Sequence, residues 1–302
     1  MANVQSAITE SQVIGSNGAA TTTTSMTVVG VAEGNAAAAA DLSLDLTVKK
    51  QPPKLRSLLP ERWGDQVRPV GLAEHKEAGL SIAQAFATDE LAHYLLDSDD
   101  MAALSDEARW RLHVDMMKYI VAAHCLSGLV TTIGPDYEGV ALWAPPASNT
   151  DDWLTLLRSG SWRLYYLLSA GGRARYFSEL LPLLHDTKRA VMGARDHDCY
   201  YLVYIGTKPA GRRRGYAGKL IGTMAARADQ EGRPVYLESS SARNTAYYRR
   251  FGFEVVRDIY LGAEGDNPVR LSIMVREPQQ ANAAVVGKTI PIKLGAGFKG
   301  LQ

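Results

Sequence analysis

The run Thr207-Lys-Pro-Ala-Gly-Arg-Arg-Arg-Gly-Tyr-Ala-Gly-Lys-Leu220 constrains this 302-residue chain more than any other stretch of it. It follows a strand-like segment, Tyr200-Tyr-Leu-Val-Tyr-Ile-Gly206, and it opens a helix. Past Gly215, the residues Ala217, Leu220, Ile221, Met224, Ala225 and Ala228 recur at helical spacing and mark one apolar face. Strand, basic glycine-containing turn and helix, in that order, aim unpaired backbone N–H groups and the positive end of a helix dipole at one point. An anion is expected there, a pyrophosphate above all. Gly215 lets the backbone approach it, and Arg212, Arg213 and Arg214 bring cationic charge.

Two nucleotide loops do not fit. A P-loop needs Ser or Thr after Gly-Lys, but Gly218-Lys219 is followed by Leu220. Gly211 and Gly215 are spaced wrongly for a dinucleotide fingerprint. Arg212-x-x-Gly215-x-Ala217, by contrast, resembles the Arg/Gln-x-x-Gly-x-Gly/Ala acetyl-CoA loop of the GNAT acetyltransferase superfamily. The residues downstream carry the resemblance further. A strand candidate, Arg233 to Ser241, precedes Asn244-Thr-Ala-Tyr-Tyr-Arg-Arg-Phe-Gly-Phe253, which is similar to the last signature of the same superfamily. Strand candidates Phe253–Tyr260 and Val269–Val275 complete the order. The resemblance covers about Cys199 to Arg276. The run Ala141-Leu-Trp-Ala-Pro-Pro146, with Leu237-Glu-Ser-Ser240, is similar to puromycin N-acetyltransferase-like members.

The resemblance implies an α/β fold, a mixed and largely antiparallel sheet flanked by helices. It implies acetyl-CoA as co-substrate and transfer of the acetyl group to a primary amine by direct attack. Ile205 and Thr207 would contact the pantetheine and the acetyl carbonyl. Arg212, Arg213, Arg214, Gly215, Tyr216, Ala217 and Gly218 would cradle the pyrophosphate, and Asn244 would hydrogen-bond the cofactor arm. Tyr248, four residues before Gly252-Phe253, would be the general acid toward sulfur; its other reading is a core aromatic. Glu238 lies in the strand expected to splay from Tyr200–Thr207 and is the candidate base, or else pairs with a nearby Arg. His197 and Asp198 are runners-up. Lys208, Lys219, Arg249 and Arg250 are candidates to neutralise the cofactor phosphates.

Elsewhere the chain sets bounds. Residues 1–62 contain no Phe, Tyr or Trp and carry the low-complexity runs Thr21–Thr24 and Ala36–Ala40, so disorder is expected there. A secretory or transit pattern is missing from them, and a cytoplasmic protein is expected. The globular domain is expected over 63–276, with a flexible tail over 277–302 in which Thr289–Leu294 could add a strand. Gln66–Val70 reads as an edge strand, Ser105 as the cap of a long helix ending at Gly128, and Leu129–Ile133 with Val140–Trp143 as a hairpin. A helical insertion over about 150–195 carries Trp153, Trp162, Tyr165, Tyr166, Tyr176 and Phe177. These aromatics are either ordinary packing or the wall of a closed acceptor pocket, and the second reading favours a small-molecule amine.

A formal net charge of +1 steers the protein toward neither nucleic acid nor membrane, and no stretch approaches 18 consecutive apolar residues. Cys125 and Cys199 make no metal-ligand spacing with the histidines, so no metal is expected. The alternatives to a small-molecule N-acetyltransferase are a protein lysine or N-terminal acetyltransferase and a non-catalytic acyl-CoA-binding module.

Overall fold

Alternating apolar residues and β-branched runs set the strands, and a computed structural model places them. It describes residues 6–14, 20–28, 58, 60–149, 152–262 and 268–279. The chain divides into two units, Met1–Leu58 and Leu59–Gln302. In the first, β1 (Ser6–Ile14) and β2 (Ala20–Val28) pair antiparallel. Their Thr, Val and Ile residues favour extended backbone. This hairpin lies within the segment for which disorder is expected; most of the rest of that segment lies outside the described residues. So does the expected strand at Thr289–Leu294.

The second unit starts with β3 (Arg68–Pro69), shorter than expected because Pro69 brings no N–H to a ladder. Three helices follow, α1 (His75–Ala85), α2 (Glu90–Leu96) and α3 (Asp106–Ser127). The Ser105 hydroxyl accepts the Ala108 N–H at 3.2 Å and caps α3, as its position before Asp106-Glu107 predicts. The hairpin β4 (Leu129–Ile133) and β5 (Gly139–Ala144) comes next. The insertion holds α4 (Trp153–Ser159), α5 (Leu164–Leu167), α6 (Ala170–Arg173) and α7 (Leu181–Met192). Between α6 and α7 the helix widens to π geometry over Ala174–Leu180, just before Pro182, which lacks a donor for the ladder.

The remaining elements are β6 (Tyr200–Thr207), α8 (Tyr216–Glu231), β7 (Val235–Ser239), α9 (Ala242–Arg249), β8 (Glu254–Leu261) and β9 (Val269–Arg276). Together they close a seven-stranded sheet in the order β3-β4-β5-β6-β7-β9-β8. Every neighbouring pair is antiparallel except β6 and β7. One face packs Val140, Leu142 and Tyr236 against Ile82, Met117 and Val121 of α1 and α3. The other packs Trp143, Leu202 and Leu237 against Leu220, Ile221 and Met224 of α8. Each such side chain contributes roughly 1.5–3 kcal/mol by leaving water. Among the described residues, no helix is long and apolar enough to cross a membrane.

Arg276 ties three elements together at the end of β9. Its guanidinium donates to both Asp229 carboxylate oxygens at 2.7 Å, and Nε donates to the Phe251 carbonyl at 2.8 Å. Burial raises the Asp229 pKa, but Arg276 and the Gln279 N–H hold it below its ordinary value. Arg276 is itself buried, so removing it strands a partly buried carboxylate and a carbonyl. Arg276→Ala is expected to cost about 3 kcal/mol, read as a lower urea midpoint at neutral pH; an unchanged midpoint contradicts this role.

Candidate active site

The cleft exists because β6 and β7 stay together for only three pairs, Tyr200↔Val235, Tyr201↔Tyr236 and Leu202↔Leu237. At that point β6 also bulges against β5. Trp143 faces Leu202 but Leu142 faces Tyr204, so Val203 is the extra residue. The bulge breaks the alternation. Val203 and Tyr204 both pack with the α1 and α3 layer, while Leu202 and Ile205 pack with the α8 and α9 layer. From Tyr204 to Thr207, β6 pairs with β5 alone, and its other edge is open. The splay that places Glu238 opposite the far half of β6 is therefore present.

Ile205, Glu238, Asn244 and Tyr248, four of the residues singled out in the sequence, line this one cleft. Tyr248 is a buried aromatic set edge-on to Tyr247 and Phe253, as its core reading expects, and it also lines the cleft. Burial pushes its phenol above the ordinary range, which keeps the proton in place at neutral pH. Asn244 stands in the first turn of α9, where the Ser241 hydroxyl accepts its backbone N–H at 3.2 Å. Thr207 ends β6 opposite Gly139.

Glu238 shares its sheet face with Tyr236, since side chains alternate along β7. Its Oε1 is sealed from solvent and has no hydrogen-bond partner among the described residues. Burial pushes its pKa up to about 7, and the Tyr201 and Tyr236 phenols pull it back by less. The alternative pairing with a nearby Arg is absent among the described residues. Lys188 acts on Glu238 from a distance but is bound to Asp196 at 2.6 Å. His197 is on the surface beside Asp196, and Asp198 pairs with Arg233 at 3.2 Å; neither lines the cleft.

The loop after β6 makes one 3-10 turn, Pro209–Gly211, and then twice takes left-handed backbone, at Arg213 (φ 66°) and Gly215 (φ 75°). Gly215 starts α8 with no side-chain cap. Its carbonyl accepts the Lys219 N–H at 3.1 Å, so the N–H groups of Tyr216, Ala217 and Gly218 have no partner within the helix. The positive φ, rather than crowding, requires glycine at 215, because a Cβ there would meet nothing within 4 Å. Gly218 differs: a Cβ would lie 3.1 Å from the Tyr247 hydroxyl, so its glycine lets α8 and α9 approach. Tyr216 packs its ring in the core, while its hydroxyl acts on Arg214.

Arg212, Arg213 and Arg214 are exposed, with Arg214 3.9 Å from Glu138. Lys208 and Lys219 already pair with Asp136 and Asp65, which weakens their candidacy as phosphate partners. Arg249 is exposed, and Arg250 sits 5.6 Å over the Tyr247 ring.

Of the two readings of the insertion's aromatics, ordinary packing describes Tyr176 and Phe177, and none of the six lines the cleft. Trp153, Trp162, Tyr165 and Tyr166 are exposed, and Tyr176 and Phe177 pack on the core. The insertion reaches the cleft through Leu180 and Leu184 instead. Aromatic content did not signal which face of α5–α7 turns inward. Phe86 and Asp89, from the α1–α2 connection, complete the wall. No motif marks them, since the packing of α1 against β6 is what brings the α1–α2 connection to the cleft.

Comparison with known proteins adds the following. A model described as an acetyltransferase (GNAT) domain matches residues 184–256. An uncharacterized N-acetyltransferase of Schizosaccharomyces pombe is 41% identical over 215 residues, 71% of this chain and 84% of that protein. A solved structure from Corynebacterium glutamicum, described as histone acetyltransferase HPA2 and related acetyltransferase, has TM-score 0.44 and 20% identity, with 72% of this chain and 98% of that one covered. A Drosophila melanogaster polyamine N-acetyltransferase, described as forming N-acetylagmatine, has TM-score 0.42 and 16% identity, with 70% and 99% covered.

Glu238 also carries a stability consequence. A carboxyl whose pKa rises from 4.5 to about 7 on folding costs nothing below the unfolded value and its full amount above the folded one. The ceiling on that cost is on the order of 3 kcal/mol. Glu238→Gln is expected to raise the melting temperature more at pH 8 than at pH 5. Equal shifts at both values, measured by thermal denaturation, contradict the assignment.

Proposed function

The chain belongs to the GNAT family of N-acetyltransferases and is an acyltransferase enzyme, and from that premise we propose that it moves the acetyl group of acetyl-CoA to a small primary amine. One observation carries this reading: β6, whose chain leads on to the uncapped start of α8, parts from β7 over a cleft lined by both Tyr248 and Glu238. The amide N–H groups of residues 216–218 hold the pyrophosphate, and exposed Arg212, Arg213 and Arg214 offset its charge. Asn244, Ile205 and Thr207 line the course of the pantetheine arm along the open edge of β6. A backbone N–H on that edge stabilises the oxyanion.

The protons balance as follows. An alkylammonium that ends as an amide loses two protons. Glu238 accepts one and passes it to water; Tyr248 gives its phenol proton to the departing sulfur, and the second ammonium proton restores the phenol. The amine nitrogen forms its bond to the carbonyl carbon as the carbon–sulfur bond breaks. The attack is direct, with no covalent enzyme intermediate. The small acceptor accords with a cleft lined by the side chains of Phe86, Leu180 and Leu184.

Thiol release from acetyl-CoA across a panel of primary amines tests the reading. Binding of acetyl-CoA without turnover on any amine would instead favour an acyl-CoA-binding module. Gly215→Glu places a carboxylate at the anion site at a backbone strain of about 1–2 kcal/mol, and is expected to abolish CoA binding in calorimetry while circular dichroism shows the protein still folded. Retained affinity would remove the loop from the site. Tyr248→Phe is expected to lower kcat by on the order of 10² to 10⁴ with acetyl-CoA affinity unchanged; full activity would exclude its role as acid.

A further inference from the structure

A second carboxylate in the cleft has no task in the chemistry above, and the inference that follows rests on that reading. Asp89 caps α2: its Oδ1 accepts the Leu91 N–H at 3.0 Å. Its Oδ2 accepts the Ser240 hydroxyl at 2.7 Å. Ser240 follows β7, so one carboxylate links the α1–α2 turn to the β7–α9 turn across the cleft. Both donors are neutral. No Lys, Arg or His pairs with Asp89 among the described residues, although its charge acts on Tyr204, Tyr248 and buried His113.

The wider lining has the same bias. Its ionisable side chains are Asp89, Glu238 and tyrosines, with no cationic residue among them. Phe86 and Tyr204, edge to face at 5.2 Å, add aromatic surface beside the carboxylates. A partly desolvated site with negative charge, π faces and no cation favours a positively charged guest. Aliphatic amines carry that charge in neutral water. Phosphate-bearing and carboxylate-bearing guests are disfavoured by the same field.

We infer that Asp89 is the specificity-determining residue for the acceptor: it draws in amines that are cationic in solution and holds the ammonium group beside Glu238. Recognition and deprotonation are then divided between two carboxylates. Asp89 holds the charge and is kept in place as the cap of α2. Glu238, with an unpartnered oxygen, takes the proton. The apolar part of the guest rests on Phe86, Leu180 and Leu184.

The test uses the full chain and two probes of similar shape, 2-phenylethylamine, which is cationic at pH 7.5, and phenylacetic hydrazide, which is neutral. Asn caps helices as well as Asp does, so Asp89→Asn removes the charge and keeps the cap. Loss of a charged hydrogen-bond partner corresponds to roughly 10- to 100-fold. The expected result is a KM for 2-phenylethylamine raised by that factor, with kcat within a few-fold. The hydrazide KM and the acetyl-CoA Kd stay unchanged. Ser240→Ala retains the charge and is expected to retain the preference for the cationic probe.

Equal losses for the two probes overturn the inference, as does Ser240→Ala reproducing Asp89→Asn, since Asp89 would then only tie two turns together. Calorimetry of 2-phenylethylamine on the CoA-loaded protein repeats the comparison without turnover. A wild-type protein that binds the cationic probe through Asp89 but transfers no acetyl group refutes the proposed activity and leaves the inference standing. One that transfers acetyl groups with no preference between the probes refutes the inference alone.

Discussion

The separation of β6 from β7 after Leu202 is the constraint on which the other features of the site depend. A parallel pair that continued would satisfy the edge of β6 with ladder hydrogen bonds and fill the space with side chains. The bulge at Val203 supplies the reason it does not continue, because one extra residue bends the strand and shifts its alternation. The opening runs through the sheet from layer to layer. Tyr248 reaches it from α9 on one side, and Glu238 shares the opposite face with Tyr236. Two groups of different acidity therefore meet one space without lying on the same element.

Charge is arranged along this opening rather than across the whole molecule. With a net formal charge of only +1, the global field is weak. Three adjacent arginines nevertheless stand at the loop before α8, while the lining of the cleft holds carboxylates and no cation. The arginine loop and the cleft therefore favour guests of opposite charge. Such a division suits a reaction between a polyphosphate thioester and an ammonium. It also has a cost in folding free energy. A buried carboxylate oxygen with no partner is unfavourable, and the two apolar layers on either face of the sheet offset it.

Much of this was legible in the residues. The loop from Thr207 to Leu220, the cap at Ser105 and the β4–β5 hairpin each rest on local chemistry, which acts over a few residues and survives in any surrounding. The placement of Glu238 and Tyr248 in one cleft was legible only through the resemblance. Other readings stopped where local chemistry stops. Tyr216 looked like part of the anion loop, but its side chain belongs to the core. The exposed aromatics of α4 and α5 looked like a pocket wall, yet Leu180 and Leu184 take that place. Lys208 and Lys219 carry charge in the right stretch, but Asp136 and Asp65, distant in sequence, already hold them.

By itself, then, the amino-acid order determined the strand–turn–helix with its uncapped start, the family and the succession of elements. Periodicity, capping and glycine chemistry are encoded within a dozen residues, and that is sufficient for them. Only the tertiary structure decided that Asp89 meets Ser240 across 151 positions, that Val203 is the residue left over in its ladder, and that Glu238 lacks a cationic partner among the described residues. Each of these depends on which surfaces exclude water together, and no local pattern in a chain records that.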